Sequence, residues 1–254
     1  MTTDLKAAAR TALACLDLTS LNDADTAADI AALCKRAQTA QGPVAAVCVW
    51  PRFVAQARAA LPASIKVAAV ANFPDGSLDL QRTLADVAEI AQAGGDEVDV
   101  VLPYRALMAG QTTEVAEFLS EVRFASRPLT LKVIIESGEL ATAERIAQAT
   151  RMALAAGADF VKTSTGKTQT GATPEAAATM LKEIKASGLS AAGFKASGGV
   201  RSVADVVGYI AQAEAALGAT ALNPQRLRFG ASGLLTDIEA VLSGAPSAAT
   251  TSAY

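Results

Sequence analysis

Short apolar runs alternate with amphipathic stretches along the whole chain. The runs lie at 13–18, 44–50, 65–70, 97–102, 129–135, 160–167, 191–195 and 227–230, and the sixth ends in small polar residues. Between the runs, apolar residues recur at spacings of three and four, as at Val115, Phe118 and Val122, which predicts helices. The runs are continuously apolar rather than alternating. This pattern is typical of parallel strands that are covered on both faces.

Eight strand-like runs with helices between them predict one α/β domain. Parallel strands joined by helices form either an open doubly wound sheet or a closed barrel. Eight units in 254 residues favour a single (β/α)8 barrel. The alternative, an open Rossmann sheet, would need Gly-x-Gly-x-x-Gly after its first strand, and the sequence has no such motif there. We expect the barrel at 1–243 and a flexible tail at 244–254, which is rich in Gly, Ala, Ser and Thr.

The composition argues against several classes of protein. The net charge of −3 argues against a nucleic-acid binder that relies on general basicity. No apolar run reaches the roughly 18 residues of a membrane-spanning helix, and the N-terminal residues lack a signal-peptide pattern. Cys15, Cys34 and Cys48 show no metal-binding spacing. We expect them to be small buried thiols in a reducing cytoplasm.

Histidine is absent from the chain. The commonest general base and the commonest metal ligand are therefore both missing. Acid–base chemistry must come from Asp, Glu, Lys, Tyr or water, and we expect neither a metal nor another cofactor.

A lysine, Lys162, ends the short apolar strand with which the sixth run begins. Lysine is rarely buried unless it is paired or functional. Burial favours the neutral amine, which can attack a carbonyl group. The alternative is an ordinary lysine whose ammonium reaches solvent from a strand end.

Two further charged residues lie in runs whose ends would meet Lys162. Catalytic groups of such barrels lie at the carboxyl ends of the strands, where Asp99 of the fourth run and Lys195 of the seventh would be found. Two neighbouring lysines lower each other's pKa, so that one can be a neutral nucleophile while the other stays cationic. A purely structural ion pair is the alternative. For Glu97, an ion pair near the base of the barrel is the favoured interpretation.

Glycine-rich loops after the last three strands indicate an anion site. Barrels often bind phosphate with the loops after strands seven and eight, where backbone N–H groups can approach it closely. The candidate phosphate-binding residues are Thr165, Gly166, Lys167, Gly198, Gly199, Arg201, Gly230, Ser232 and Gly233. Asp17 and Thr19 at the end of strand one, and Lys132 on strand five, could contact hydroxyl groups or form ion pairs, and a structural role is favoured for each.

Several of these segments closely resemble the deoxyribose-phosphate aldolase family. The matching segments follow the order of the chain and cover nearly all of it: Leu16-Asp17-Leu18-Thr19, Val47-Cys48-Val49-Trp50-Pro51-Arg52-Phe53, Asp96-Glu97-Val98-Asp99, Pro103-Tyr104-Arg105-Ala106-Leu107, Lys162-Thr163-Ser164-Thr165-Gly166, Gly193-Phe194-Lys195-Ala196-Ser197-Gly198-Gly199 and Arg228-Phe229-Gly230-Ala231-Ser232. The chain departs from the family pattern in two places. Gly233 stands where a second serine can follow Ser232, and Trp50 stands where tyrosine is frequent.

The resemblance implies a metal-free class I aldolase. Such an enzyme reversibly cleaves 2-deoxy-D-ribose 5-phosphate into acetaldehyde and D-glyceraldehyde 3-phosphate. It implies that Lys162 forms the imine and that Asp99 and Lys195 transfer protons. It also implies that the terminal Tyr254 takes part in proton transfer if the tail folds over the barrel mouth.

Other functions stay open at this point. An isomerase or a metal-dependent aldolase on the same barrel is disfavoured by the lack of histidine. A phosphosugar sensor without chemistry would not need Lys162, Asp99 and Lys195 together. We expect small-molecule phosphosugar and aldehyde partners, neither nucleic acid nor membrane, and a homodimer.

Overall fold

Eight parallel strands close into a barrel in the computed structural model, which describes residues 4–247. The strands are β1 (Leu16–Thr19), β2 (Ala46–Val49), β3 (Lys66–Ala71), β4 (Glu97–Val101), β5 (Thr130–Ile134), β6 (Phe160–Lys162), β7 (Gly193–Ser197) and β8 (Leu227–Ala231). Each strand pairs in parallel with its neighbours in the chain, and β8 pairs with β1 to close the ring. The expected (β/α)8 barrel is confirmed.

Helices connect the strands and cover the outside of the barrel. They are α1 (Leu5–Ala14), α2 (Ala27–Arg36), α3 (Val54–Ala60), α4 (Leu80–Gln92), α5 (Tyr104–Met108), α6 (Thr112–Ala125), α7 (Ser137–Leu140), α8 (Ala143–Ala155), α9 (Pro174–Ala186), α10 (Val203–Leu217) and α11 (Leu234–Ser243). The short helices α5 and α7 follow β4 and β5 directly. A small antiparallel hairpin pairs Gln38–Thr39 with Gly42–Pro43.

Helix α1 corrects the interpretation of the first apolar run. The run was expected to form a strand from residue 13, but residues 13 and 14 end α1 and the strand begins at Leu16. Asp4 caps this helix by accepting hydrogen bonds from the N–H groups of Lys6 and Ala7. Its small buried face packs against α10 and α11. Alanine contributes little to an apolar pattern, so the pattern did not separate this helix from the strand after it.

The apolar core lies between the strands and the helices, and the barrel interior is largely charged. Outward-facing strand residues such as Val98, Val133 and Phe194 are completely buried in the large core. Inside the barrel, β2 and β3 contribute a small apolar cluster that contains Cys48 and Val70. The remaining strands contribute buried Asp, Glu, Lys and Arg side chains. The interior therefore has an apolar side and an ionic side.

The described chain ends shortly after the last helix. Helix α11 ends at Ser243, and residues 244–247 form neither helix nor strand. The rest of the expected tail, with Tyr254, lies outside the described residues. Within residues 4–247, no helix is both long and apolar enough to cross a membrane.

Candidate active site

A cavity opens at the carboxyl end of the barrel and reaches Lys162. Its volume is about 490 Å³. Lys162 is the last residue of β6, and only 4% of its side chain is exposed. The cavity is lined by the last residues of β1, β6, β7 and β8 and by the loops that follow these strands: Thr19, Ser20, Leu21, Asn22, Lys162, Thr165, Gly166, Lys167, Ser197, Gly198, Gly199, Val200, Arg201, Gly230, Ala231, Ser232 and Gly233.

Three lysines share the carboxylate of Asp99 beneath this cavity. Lys162 Nζ and Lys195 Nζ each lie 2.8 Å from Asp99 Oδ2, and Lys132 Nζ lies 2.8 Å from Oδ1. The register of the barrel explains the contacts, because Asp99 is level with Lys132 and Lys162 is level with Lys195. Asp99, Lys162 and Lys195 were expected to meet, and the structure brings them together.

A second set of ion pairs lies deeper in the barrel. Asp17 accepts from Lys195 and, at 2.5 Å, from Arg228. Glu97 accepts from Arg228 at 2.8 Å and from Lys132 at 2.5 Å. Since all of these side chains are buried, water cannot neutralise their charges and each must be balanced by its neighbours.

The balance of charge depends on one proton. The buried network holds three carboxylates, Asp17, Glu97 and Asp99, together with three lysines and Arg228. If every basic group is protonated, the network carries one uncompensated positive charge. If one lysine is neutral, the network is neutral. Among the lysines, only Lys162 contacts a single carboxylate, so it is the one that most readily loses its proton.

The pKa shifts point to the same lysine. Burial lowers the pKa of Lys162, Asp99 opposes this effect, and the Lys195 ammonium adds to the lowering, so that the pKa lies below that of an ordinary lysine. Burial also acts to lower the pKa of Lys195, but Asp17 and Asp99 outweigh it and the pKa is raised. Lys162 is therefore suited to act as an amine nucleophile, and Lys195 to act as a cation and acid.

The loops around the cavity form a candidate anion cradle. In the described part of the chain, the backbone N–H groups of Gly166, Gly198, Gly199, Ser232 and Gly233 donate to no protein group. Two cationic side chains, Lys167 and Arg201, also line the cavity. Lys167 Nζ donates to the carbonyl of Leu21 at 2.6 Å and so links the loops after β6 and β1. The N-terminus of α11 begins directly after Gly233 and favours negative charge.

Comparisons with known proteins identify the family. The model of the DeoC/LacD family aldolases matches residues 11–239. The chain belongs to this aldolase family. It is 46% identical over 250 residues to the deoxyribose-phosphate aldolase of Agrobacterium fabrum, with 97% of this chain and 96% of the relative covered. The family that the motifs indicated is thus confirmed.

Solved structures agree with this assignment. The apo form of a candidate deoxyribose-phosphate aldolase from Toxoplasma gondii ME49 has a TM-score of 0.86 at 26% identity, with 96% of this chain and 99% of that chain covered. A deoxyribose phosphate aldolase from Aeropyrum pernix, described as a unique tetramer, has a TM-score of 0.71 at 25% identity over 96% and 99% of the two chains.

Not every predicted substrate-binding residue is available to a ligand. Asp17 is completely buried in the ionic network and does not line the cavity. Thr19 lines it, but its hydroxyl donates to the backbone carbonyl of Asp17 at 2.8 Å. Thr165 lines it as well, but both its N–H and its hydroxyl donate to the carboxylate of Glu136. These three residues therefore support the site rather than present free donors to it.

Two charged residues of the site were not predicted. Arg228 was noted only as part of a matching segment, although its position two residues before Gly230 places it on the same inward face of β8. Glu136 follows the fifth apolar run without any periodic signal.

Gly230 has a structural reason to be glycine, since an added Cβ would lie 3.0 Å from Lys195 Cε and 2.9 Å from Ser197 Cβ.

The thiols and the acidic groups provide no metal centre. Cys15, Cys34 and Cys48 are free and buried, as expected. Burial raises the pKa of Cys48 to about 11, so the group is a thiol rather than a thiolate. Across residues 4–247, no group of three or more Cys, Asp or Glu residues is arranged to hold a metal ion.

The shared carboxylate predicts the effect of substituting Lys132, which does not line the cavity. Lys132→Met leaves Asp99 and Glu97 with less positive charge around them, so we expect the free energy of unfolding in urea to fall by about 3–5 kcal/mol. The pKa of Lys162 should rise, because one neighbouring cation is lost. The pH at which Lys162 reacts at half its maximal rate with an aldehyde and borohydride should therefore move upward.

Lys182→Met, at an exposed position of α9, is the control and should change neither the free energy of unfolding nor this pH. An unchanged pH dependence in Lys132→Met would contradict the shared network.

Proposed function

We propose that the protein is a class I aldolase that reversibly cleaves 2-deoxy-D-ribose 5-phosphate into acetaldehyde and D-glyceraldehyde 3-phosphate. The observation that carries the proposal is the pair of lysines on one Asp99 oxygen, one with a lowered and one with a raised pKa. An anion cradle lies beside them. The relative from Agrobacterium fabrum, named for this activity, supports the choice of substrate.

The reaction begins at the amine of Lys162. The neutral amine attacks the C1 aldehyde and forms a carbinolamine, which loses water to give a protonated imine. Lys195, held as a cation by Asp17 and Asp99, donates the proton that lets the hydroxyl group leave as water. Asp99 contacts both amines through the same oxygen, so it can return a proton between them.

Carbon–carbon cleavage follows from the imine. The positive nitrogen accepts the electron pair of the C2–C3 bond as a base removes the C3 hydroxyl proton. D-Glyceraldehyde 3-phosphate leaves, and an enamine remains on Lys162. Protonation of the enamine carbon and hydrolysis of the imine then release acetaldehyde. The Asp99–Lys195 pair serves these proton transfers through water, and Tyr254, which lies outside the described residues, is proposed as the donor to the enamine carbon.

The phosphate group is bound in the cradle after β6, β7 and β8. Free N–H groups of Gly166, Gly199 and Gly233 donate to its oxygens, and Lys167 and Arg201 balance its charge. Since Lys162 lines the same cavity, a substrate whose phosphate is bound in this cradle has its other end near the amine. Charge and geometry therefore support a binding pose in which the aldehyde lies beside the amine of Lys162.

A cytoplasmic homodimer stays a prediction. The buried free thiols agree with a reducing compartment. The Aeropyrum pernix relative is described as tetrameric. Sedimentation of the purified chain would distinguish a dimer from a tetramer or a monomer.

Trapping of the imine tests the reaction class directly. Incubation with acetaldehyde and borohydride should leave one covalent adduct, and peptide mapping should find it on Lys162. Lys162→Ala should keep its fold but lose several orders of magnitude in kcat/KM, because the covalent route is removed. Prior treatment with EDTA should not reduce activity. An adduct on Lys195 or Lys167, or activity that depends on added metal, would refute the mechanism.

A glycine substitution tests the phosphate cradle. Gly199 has a φ of 81°, and a Cβ built there would meet nothing within 4 Å. In Gly199→Val the side chain should block the approach of the phosphate to the backbone, so KM for 2-deoxyribose 5-phosphate should rise by about tenfold or more. KM for unphosphorylated 2-deoxyribose should change little.

Gly218→Val is the matched control for backbone strain. Gly218 has a φ of 86° and equally open surroundings, but it does not line the cavity. This variant should retain the KM of the unmodified protein for both substrates. Equal loss with both substrates in Gly199→Val would show a folding defect instead of a blocked phosphate site.

A further inference from the structure

Glu136 has an unusual conformation for a buried acidic residue. It directly follows Ile135 at the end of β5, has φ 52° and ψ 61° in the left-handed region, and is completely buried. Non-glycine residues avoid this region, and they persist there only when the surrounding structure holds them. The contacts of Glu136 must therefore hold it in this conformation.

Those contacts lead to the loop that follows Lys162. Glu136 Oε2 accepts the hydroxyl of Thr165 at 2.5 Å and its N–H at 3.3 Å. Glu136 Oε1 accepts the hydroxyl of Thr168 at 3.2 Å. The next residue, Ser137, donates its N–H to the carbonyl of Thr163 at 2.8 Å. The segment after β5 is thus attached to the phosphate loop by side chain and by backbone.

The hydrogen bonds continue from Glu136 toward the cavity. The hydroxyl of Thr165 donates to Glu136 and accepts the N–H of Lys167 at 3.0 Å. In such a chain each bond strengthens the next. These hydrogen bonds occupy the hydroxyl and N–H of Thr165 and the backbone N–H of Lys167. The N–H of Gly166, between them, is free. Glu136 does not line the cavity.

We propose that Glu136 is a positioning residue for the phosphate group of the substrate. It acts through Thr165, and it fixes the loop so that Gly166 N–H and the Lys167 side chain face the anion. A carboxylate suits this task because its two oxygens can accept all three donors, whereas the loop alone would leave the buried hydroxyl and N–H of Thr165 without acceptors. The inference rests on the proposed function, since it assigns the phosphate to this cradle.

The test substitutes the acceptor without changing its size. Glu136→Gln keeps one acceptor oxygen but turns the other into an NH2 group, which cannot accept from a hydroxyl or an N–H. We expect KM for 2-deoxyribose 5-phosphate to rise about tenfold, as for the loss of a charge-assisted hydrogen bond. We expect kcat, and KM for unphosphorylated 2-deoxyribose, to change less than about threefold. Glu139→Gln, at an exposed position of the short helix α7 that follows Glu136, is the matched control and should leave all these values unchanged.

A second measurement separates this inference from the proposed function. The dissociation constant of inorganic phosphate, measured by calorimetry, should rise in Glu136→Gln about as much as KM does, and it does not depend on the reaction. If the unmodified protein fails to cleave the phosphosugar, the proposed function is wrong, and phosphate binding alone decides the role of Glu136.

Clear outcomes overturn the inference. Unchanged phosphate affinity in a folded Glu136→Gln protein would contradict it, as would equal losses with the phosphorylated and unphosphorylated sugars. If that variant does not fold, Thr168→Val removes one hydrogen bond to Glu136 from outside the cavity. It should weaken phosphate binding in the same direction by about twofold to threefold, and no weakening would refute the proposal.

Discussion

The sharing of Asp99 among three lysines is the interaction on which the site depends. A buried carboxylate with one lysine would form a simple ion pair, and both groups would keep their charges. Three lysines and Arg228 face the three carboxylates Asp99, Asp17 and Glu97, so the network reaches neutrality only when one amine gives up its proton. Lys162 has the fewest carboxylate contacts and lies at the cavity. The charge balance of the whole barrel interior therefore favours a neutral amine at Lys162, the proposed nucleophile.

The barrel makes this arrangement possible because its strand register brings distant residues to the same level. Asp99 is level with Lys132, and Lys162 is level with Lys195. Residues of four strands, β4 to β7, therefore form one cluster. Two of these strands, β6 and β7, also lead into loops of the proposed phosphate cradle. The apolar side of the interior, near Cys48 and Val70, offers no charged groups, so the charged side chains pair with one another. Binding and chemistry thus follow from one set of strand ends.

Much of this could be predicted from the sequence, for physical reasons. Continuous apolar runs mark strands that are buried on both faces, and a charged residue within such a run is conspicuous, as at Asp99 and Lys162. Helix α1 was missed because alanine produces a weak pattern. Which donors of the proposed cradle are free could not be predicted, since only the structure shows that the N–H and hydroxyl of Thr165 donate to Glu136. Glu136 carries no local signal, because its role depends on a loop that lies 29 residues further along the chain.

The protonation states of the buried lysines test the central claim most directly. NMR titration of protein labelled at the lysine side chains reports each amine, and comparison with Lys162→Arg and Lys195→Arg assigns the signals. We predict that Lys162 titrates below the ordinary lysine value of about 10.4, while Lys195 and Lys132 stay protonated beyond it. Titration of Lys162 at or above the ordinary value, or loss of the Lys195 proton before that of Lys162, would contradict the account.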